Sequence, residues 1–163
     1  MRNMMAQTHP AAVLLPLIAA TPAFICTIMV HALALIATVS YVRRERRIGR
    51  TGKSFWADLA IVAPAVCLVL IAHLIEIAFW AVLLRACGEF RDFGTEYYES
   101  AMNYTTLGYG DIVMGPAWKL LGPLEAANGA LMFGVSTGLV FALIQMLIVI
   151  RFGQDVGDEE AAA

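Results

Sequence analysis

Charge is what this chain has least of. Only 15% of its 163 residues are charged while 60% are hydrophobic, and the mean hydropathy is +0.73. Soluble domains carry about 25% charged and about 45–50% apolar residues, so a soluble enzyme is effectively excluded. Disorder is excluded too, because it needs low hydrophobicity and high net charge. Cysteine is scarce: Cys26, Cys67 and Cys87 show neither CxxC spacing nor an even count, and two lie inside apolar runs. Neither a disulfide framework nor a zinc site is indicated. A basic excess is also lacking, since net charge is −2 and the pI about 5.9, so nucleic acid is not an expected partner. No apolar run carries Arg or Lys at every third position, which excludes a conventional voltage sensor. No nucleophile–base pair or metal constellation stands out, so catalysis is not expected.

Three long apolar stretches are what is there. No charged residue occurs between Arg2 and Arg43. A hydrocarbon core of about 30 Å needs roughly 20 helical residues, so this run suffices for one crossing. Thr21-Pro22 reads as an N-cap followed by proline at the first helical position, which predicts a helix at about 22–42. A cleavable signal peptide, with Arg2 and small residues near Ala20 or Ala23, is the competing reading. The loop RRERRIGRTGK at 43–53 holds six basic residues and one acid. Flanked by apolar spans, it reads as a cytoplasmic loop under the positive-inside rule. With Arg151 it places seven basic residues on one side, against Arg2, Arg85, Arg91 and Lys119 on the other. The N-terminus is therefore predicted outside and the C-terminus in the cytoplasm of a multi-pass protein of the cell membrane. A second span runs from Phe55 to about 85, with Trp56 and Trp80 placed like two aromatic belts. A third runs over 118–152, and the acidic tail 153–163 reads as solvated and too short for a nucleotide- or calcium-binding domain.

The segment between the last two spans, 86–117, should lie outside, yet 96–105 has helical character. Thr95 is its expected cap, and Glu96 and Glu99 suit the positive end of a helix dipole. Thr105-Thr106-Leu107-Gly108-Tyr109-Gly110-Asp111 follows. A polar hairpin leaving the face it entered exists at membrane depth only where protein buries it or water lines it. At these residues the chain resembles the pore-loop potassium-channel superfamily, whose selectivity filter usually reads T-x-G-Y-G-D. The resemblance covers about Phe55 to Phe152 and leaves out residues 1–54. It implies two transmembrane helices with a re-entrant pore helix between them, which with the first apolar span makes an all-α membrane protein of three transmembrane helices. The N-terminal unit is then 1–54 and the pore domain 55–152, with outer helix 55–85, pore helix about 96–105, filter 106–110 and inner helix 118–152. It also implies K+ coordination by oxygens of Thr106, Leu107, Gly108 and Tyr109, with Gly110 at the outer mouth and Thr105, Asp111 and Tyr98 in support. No cofactor is implied beyond K+ as the permeant ion. One strand cannot close a ring, so the expected assembly is a homotetramer in membrane lipid. Two positions depart from relatives: Glu99 stands where an aromatic is frequent, and Met102 where some relatives have a glutamate. A weakly selective cation channel and a non-conducting regulatory subunit are the alternative readings.

Buried ionisable groups in membrane spans are functional candidates. Glu76 and Glu125 are expected at roughly 13 Å and 11 Å below the outer end of their spans, at 1.5 Å per residue. His73 shares a helix face with Glu76. A polar cluster of His73, Glu76, Glu125 and Asn103 behind the filter is the expectation, acting as static glue, a pH-responsive gate, or a metal site through His73 and Glu76. Gly129 and Gly134 are candidate hinges of the inner helix, although Gly134 and Gly138 also form a small-xxx-small packing pair. Phe133, Thr137 and Phe141 follow at i+4 and would line an inner cavity, narrowest at Phe141 or Gln145.

Overall fold

The computed structural model describes residues 10–161, and side chains over 13–151. Arg2 and the side chains of the acidic tail lie outside the described residues. Four helices follow in order: α1 (Pro10–Arg47), α2 (Phe55–Ala86), α3 (Phe93–Tyr104) and α4 (Leu121–Ala161). There is no strand among the described residues. Three segments are long and apolar enough to cross a membrane: Val13–Arg47, Phe55–Ala86 and Leu121–Arg151.

Helix ends differ from the sequence expectation for identifiable reasons. α1 starts at Pro10 rather than at 22, with Pro16 and Pro22 inside it. Thr21, expected as a cap, is mid-helix, and its hydroxyl donates to the Leu17 carbonyl at 3.1 Å. Interior proline costs about 3 kcal/mol in a soluble helix, but spans tolerate it where neighbours re-satisfy the backbone. α1 ends in Arg44, Arg46 and Arg47, cations placed at the negative end of the dipole. Ser54 opens α2, its hydroxyl accepting from the Ala57 amide at 3.2 Å. α3 starts at Phe93, two residues before the expected Thr95 cap. Asp92 takes that place, accepting from the Thr95 amide at 3.0 Å. α4 begins at Leu121, after a turn in which the Trp118 and Lys119 amides bond to the Gly115 carbonyl, and it continues to Ala161. The segment expected as a free tail contains no proline. Its glycines weaken a helix by about 1 kcal/mol each without ending it.

Packing divides the chain into two compact units. The first combines α1 up to Met29 with Leu74–Met132, so it contains the end of α2, all of α3 and the loop after it. Its core is built on Ala20, Ala23, Ile77, Trp80, Leu84, Tyr104 and Leu121. Trp80, placed in an aromatic belt by sequence, is instead fully buried here and meets Phe24 edge-on at 5.3 Å between centroids. Trp56, by contrast, is exposed at 75%. The second unit combines Val30–His73 with α4 from Phe133 onward, around Val42, Ile61, Ala65 and Leu143. Lipid tails are as apolar as leucine, so apolar burial does little to hold spans together, and polar ties between helices matter more. In the first unit such a tie joins α1 to α4, where the Asn128 amide donates to the Thr27 hydroxyl at 2.9 Å with both residues buried.

Candidate functional site

After Tyr104 the chain turns back along α3, and four successive amides bond to the helix it has just left. Thr105 donates to Ala101 O at 3.1 Å and Thr106 to Asn103 O at 2.9 Å. Leu107 and Gly108 donate to Met102 O at 2.9 and 3.1 Å. The last carbonyls of α3, which a helix end leaves unpaired, are thereby satisfied. The carbonyls of Thr106, Leu107, Gly108 and Tyr109 receive no backbone donor among the described residues.

Backbone angles arrange those carbonyls. Thr106, Gly108 and Gly110 have φ of +61°, +50° and +74°, so positive φ recurs at every second residue. In an ordinary extended strand successive carbonyls point to opposite sides. Alternating the hand of the backbone turns them to a common side. Glycine adopts positive φ without a Cβ clash, and the sequence foresaw this at Gly108 and Gly110. Thr106 was not foreseen. It is the one non-glycine with positive φ among the described residues. Such a conformation costs about 1–3 kcal/mol and persists where surrounding contacts impose it. Here the neighbouring amides, bonded to α3, impose it.

All of 105–111 is exposed in the single chain, including Tyr109 at 68%. Tyr109 therefore finds no bracing partner within its own chain that covers it. Tyr98 does brace the end of the segment, its hydroxyl donating to Asp111 at 2.9 Å. That bond favours the protonated phenol and raises the Tyr98 pKa. The Thr105 hydroxyl donates to Ala101 O at 2.6 Å.

Behind this loop lies a set of buried polar groups, all within the first unit. The Tyr104 hydroxyl donates to the Glu76 carboxylate, and both residues are fully buried. Ser100 Oγ lies 2.8 Å from the Ile77 carbonyl and 2.5 Å from Glu125 Oε1. Asn103, expected in this cluster, donates to Glu99 Oε1 at 3.3 Å. Burial raises the Glu99 carboxyl above its ordinary range, and the Asn103 bond partly opposes the shift. Fully buried Glu96 is paired with Arg85 at 3.0 Å, tying α3 to the end of α2. Sequence reading assigned Glu96 only a dipole role.

His73 belongs to the second unit, where its Nε2 lies 3.0 Å from Ser136 Oγ and its ring 4.5 Å from that of Phe133. Phe133 thus packs on His73 along one side. Phe141 and Gln145 are exposed in the single chain. Gly129, a candidate hinge, lies in an unbroken α4, and a Cβ there would overlap the Tyr104 carbonyl oxygen. Its role is close packing against the end of α3. A Cβ at Gly134 or Gly138 would meet nothing within 4 Å in this chain.

Comparison with known proteins gives one family match, to a model described as an ion channel, over residues 67–146. No curated protein and no solved structure matches. The matched stretch starts within α2, includes α3 and the 105–111 loop, and ends within α4. α1 lies outside it.

Proposed function

We propose that this chain, which is similar to an ion-channel family over residues 67–146, is a potassium-selective channel conducting passively as a homotetramer. The observation that carries this reading is the backbone of 106–110, with positive φ at alternate residues and carbonyls at 106–109 that receive no backbone donor among the described residues. A cation that sheds its water needs a cage of oxygens, and rings of backbone carbonyls are the known solution in potassium filters. Each chain contributes one such strand, so four copies around an axis are needed to close the cage. Thr106, Leu107, Gly108 and Tyr109 supply the oxygens, and Gly110 marks the outer mouth. α3 is then a re-entrant helix aiming its negative end at the cation. Exposed Tyr109 would be covered by a neighbouring chain.

The protein is a multi-pass membrane protein with three apolar spans. The basic loop favours an N-terminus outside, a cytoplasmic C-terminus and residence in the cell membrane. Nothing in this role calls for catalysis or for a cofactor beyond the permeating ion.

A potassium-gradient flux assay in liposomes tests the reading, with Gly108→Ala as control. Flux in the wild type and its loss in the variant are expected. Silent wild-type protein that assembles onto another channel would favour the regulatory-subunit alternative.

A further inference from the structure

Two buried histidines in the second unit share one hydroxyl. His31 of α1 approaches Ser136 Oγ of α4 with its Nε2 at 3.2 Å, and His73 of α2 approaches the same oxygen at 3.0 Å. The three residues retain 3%, 5% and 6% of their surface, and the imidazole centroids lie 5.3 Å apart. From His31 and His73, nitrogen ligand atoms come within 4.8 Å of each other. We propose that His31 and His73 form a binding site for a borderline divalent transition ion of the Zn2+ type, which displaces the Ser136 hydroxyl from between them.

The chemistry selects the ion class. Imidazole nitrogens suit Zn2+, Ni2+ and Cu2+, whereas Mg2+ and Ca2+ require clusters of oxygens. Zinc–nitrogen bonds of about 2.0–2.1 Å need the two nitrogens within about 4 Å, so a small inward rotation completes the bridge. Both Nε2 atoms must then be bare, with each ring proton on Nδ1. The Ser136 hydroxyl keeps its own proton and turns to a carbonyl one turn earlier in α4, a bond serine makes readily in helices. The ring of Phe133 against His73 limits rotation of that imidazole. A groove of about 430 Å³ lined by Val66, Leu70, His73, Ser136, Thr137 and Phe141 reaches the His73 side of the site, where water would supply remaining ligands. Because His31 comes from α1 and His73 from α2, the ion would fasten the helix outside the family match to one inside it. Binding itself does not depend on the conduction reading.

The test is a titration of the full-length chain in detergent micelles with Zn2+ and, for spectroscopy, Co2+. The chain has three histidines, so a His9→Gln background leaves His31 and His73 as its only imidazoles. One Zn2+ per chain is expected, with a thermal midpoint that rises with Zn2+ concentration. His31→Gln and His73→Gln should each weaken binding by roughly tenfold or more, while Ser136→Ala keeps it. Zn2+ affinity unchanged in both glutamine variants overturns the site. Should a glutamine variant fail to fold, the Co2+-loaded parent decides. Two paramagnetically shifted imidazoles support the proposal, and Co2+ bound without them refutes it.

Discussion

Gly129 shows how a single hydrogen atom decides a contact. The Tyr104 carbonyl occupies the space a side chain would need, so Gly129→Ala must push α4 away from the end of α3. Overpacking of this kind costs about 1–3 kcal/mol, and a clearly lowered thermal midpoint in detergent is expected. A midpoint equal to wild type would show that the two elements separate freely. Glu99 provides a second test, through pH. Its carboxyl pKa is raised in the folded chain, so the folded state holds the proton more tightly than the unfolded one. That contribution is fully present below the unfolded value, near 4.5, and is lost as pH rises through the folded value. Acidification from neutral pH should therefore stabilise the wild type relative to Glu99→Gln, measured as the difference in thermal midpoint. A difference that stays flat with pH contradicts the burial account. Tyr104→Phe should also lower stability, because it leaves the buried Glu76 carboxylate without its phenol donor. Hydrogen bonds to charged groups contribute about 1.5–3 kcal/mol, and an unchanged midpoint would show the carboxylate finds another donor.

At the scale of elements, α3 and the loop after it are one device. The helix ends where its carbonyls bond to the amides of 105–108, and that bonding presents the opposite edge of the loop as bare carbonyls. Asp92→Ala should destabilise α3 by about 1 kcal/mol through loss of its cap, detectable as a small fall in thermal midpoint, while Thr95→Val leaves the Asp92-to-amide bond intact. A larger loss in Thr95→Val than in Asp92→Ala would return the cap to the position read from sequence. Much of this scale was legible in the residue order. Long uncharged runs announced the spans, and the TTLGYGD heptapeptide announced a loop with glycines at left-handed positions. Cap and end positions were less legible. Thr95 read as the cap, and only the three-dimensional closure of the Asp92 carboxylate onto the Thr95 amide gives that place to Asp92. Pro22 read as a start because local rules treat proline as a breaker, whereas a long apolar helix carries it inside. Left-handed Thr106 was illegible, since no propensity favours it and only bonds to α3 impose it. The pairing of His31 with Ser136 spans 105 residues of sequence, a distance at which periodicity carries no information.

For the whole molecule, the segment that carries the proposed filter lies open in the single chain. Exposure of 105–111 and of Tyr109 leaves this segment open to the neighbouring chains that the proposed tetramer requires. The buried Glu76, Glu125 and Ser100 tie α2, α3 and α4 together within the first unit. The central claim is that main-chain oxygens of Thr106 to Tyr109 replace the hydration shell of K+ better than that of Na+. The reversal potential of reconstituted protein with K+ on one side and Na+ on the other tests it most directly. A value displaced far from zero, in the sense of K+ leaving its own side, is what the carbonyl cage requires. A value at zero, with current flowing, would mean that both ions pass alike and would contradict it.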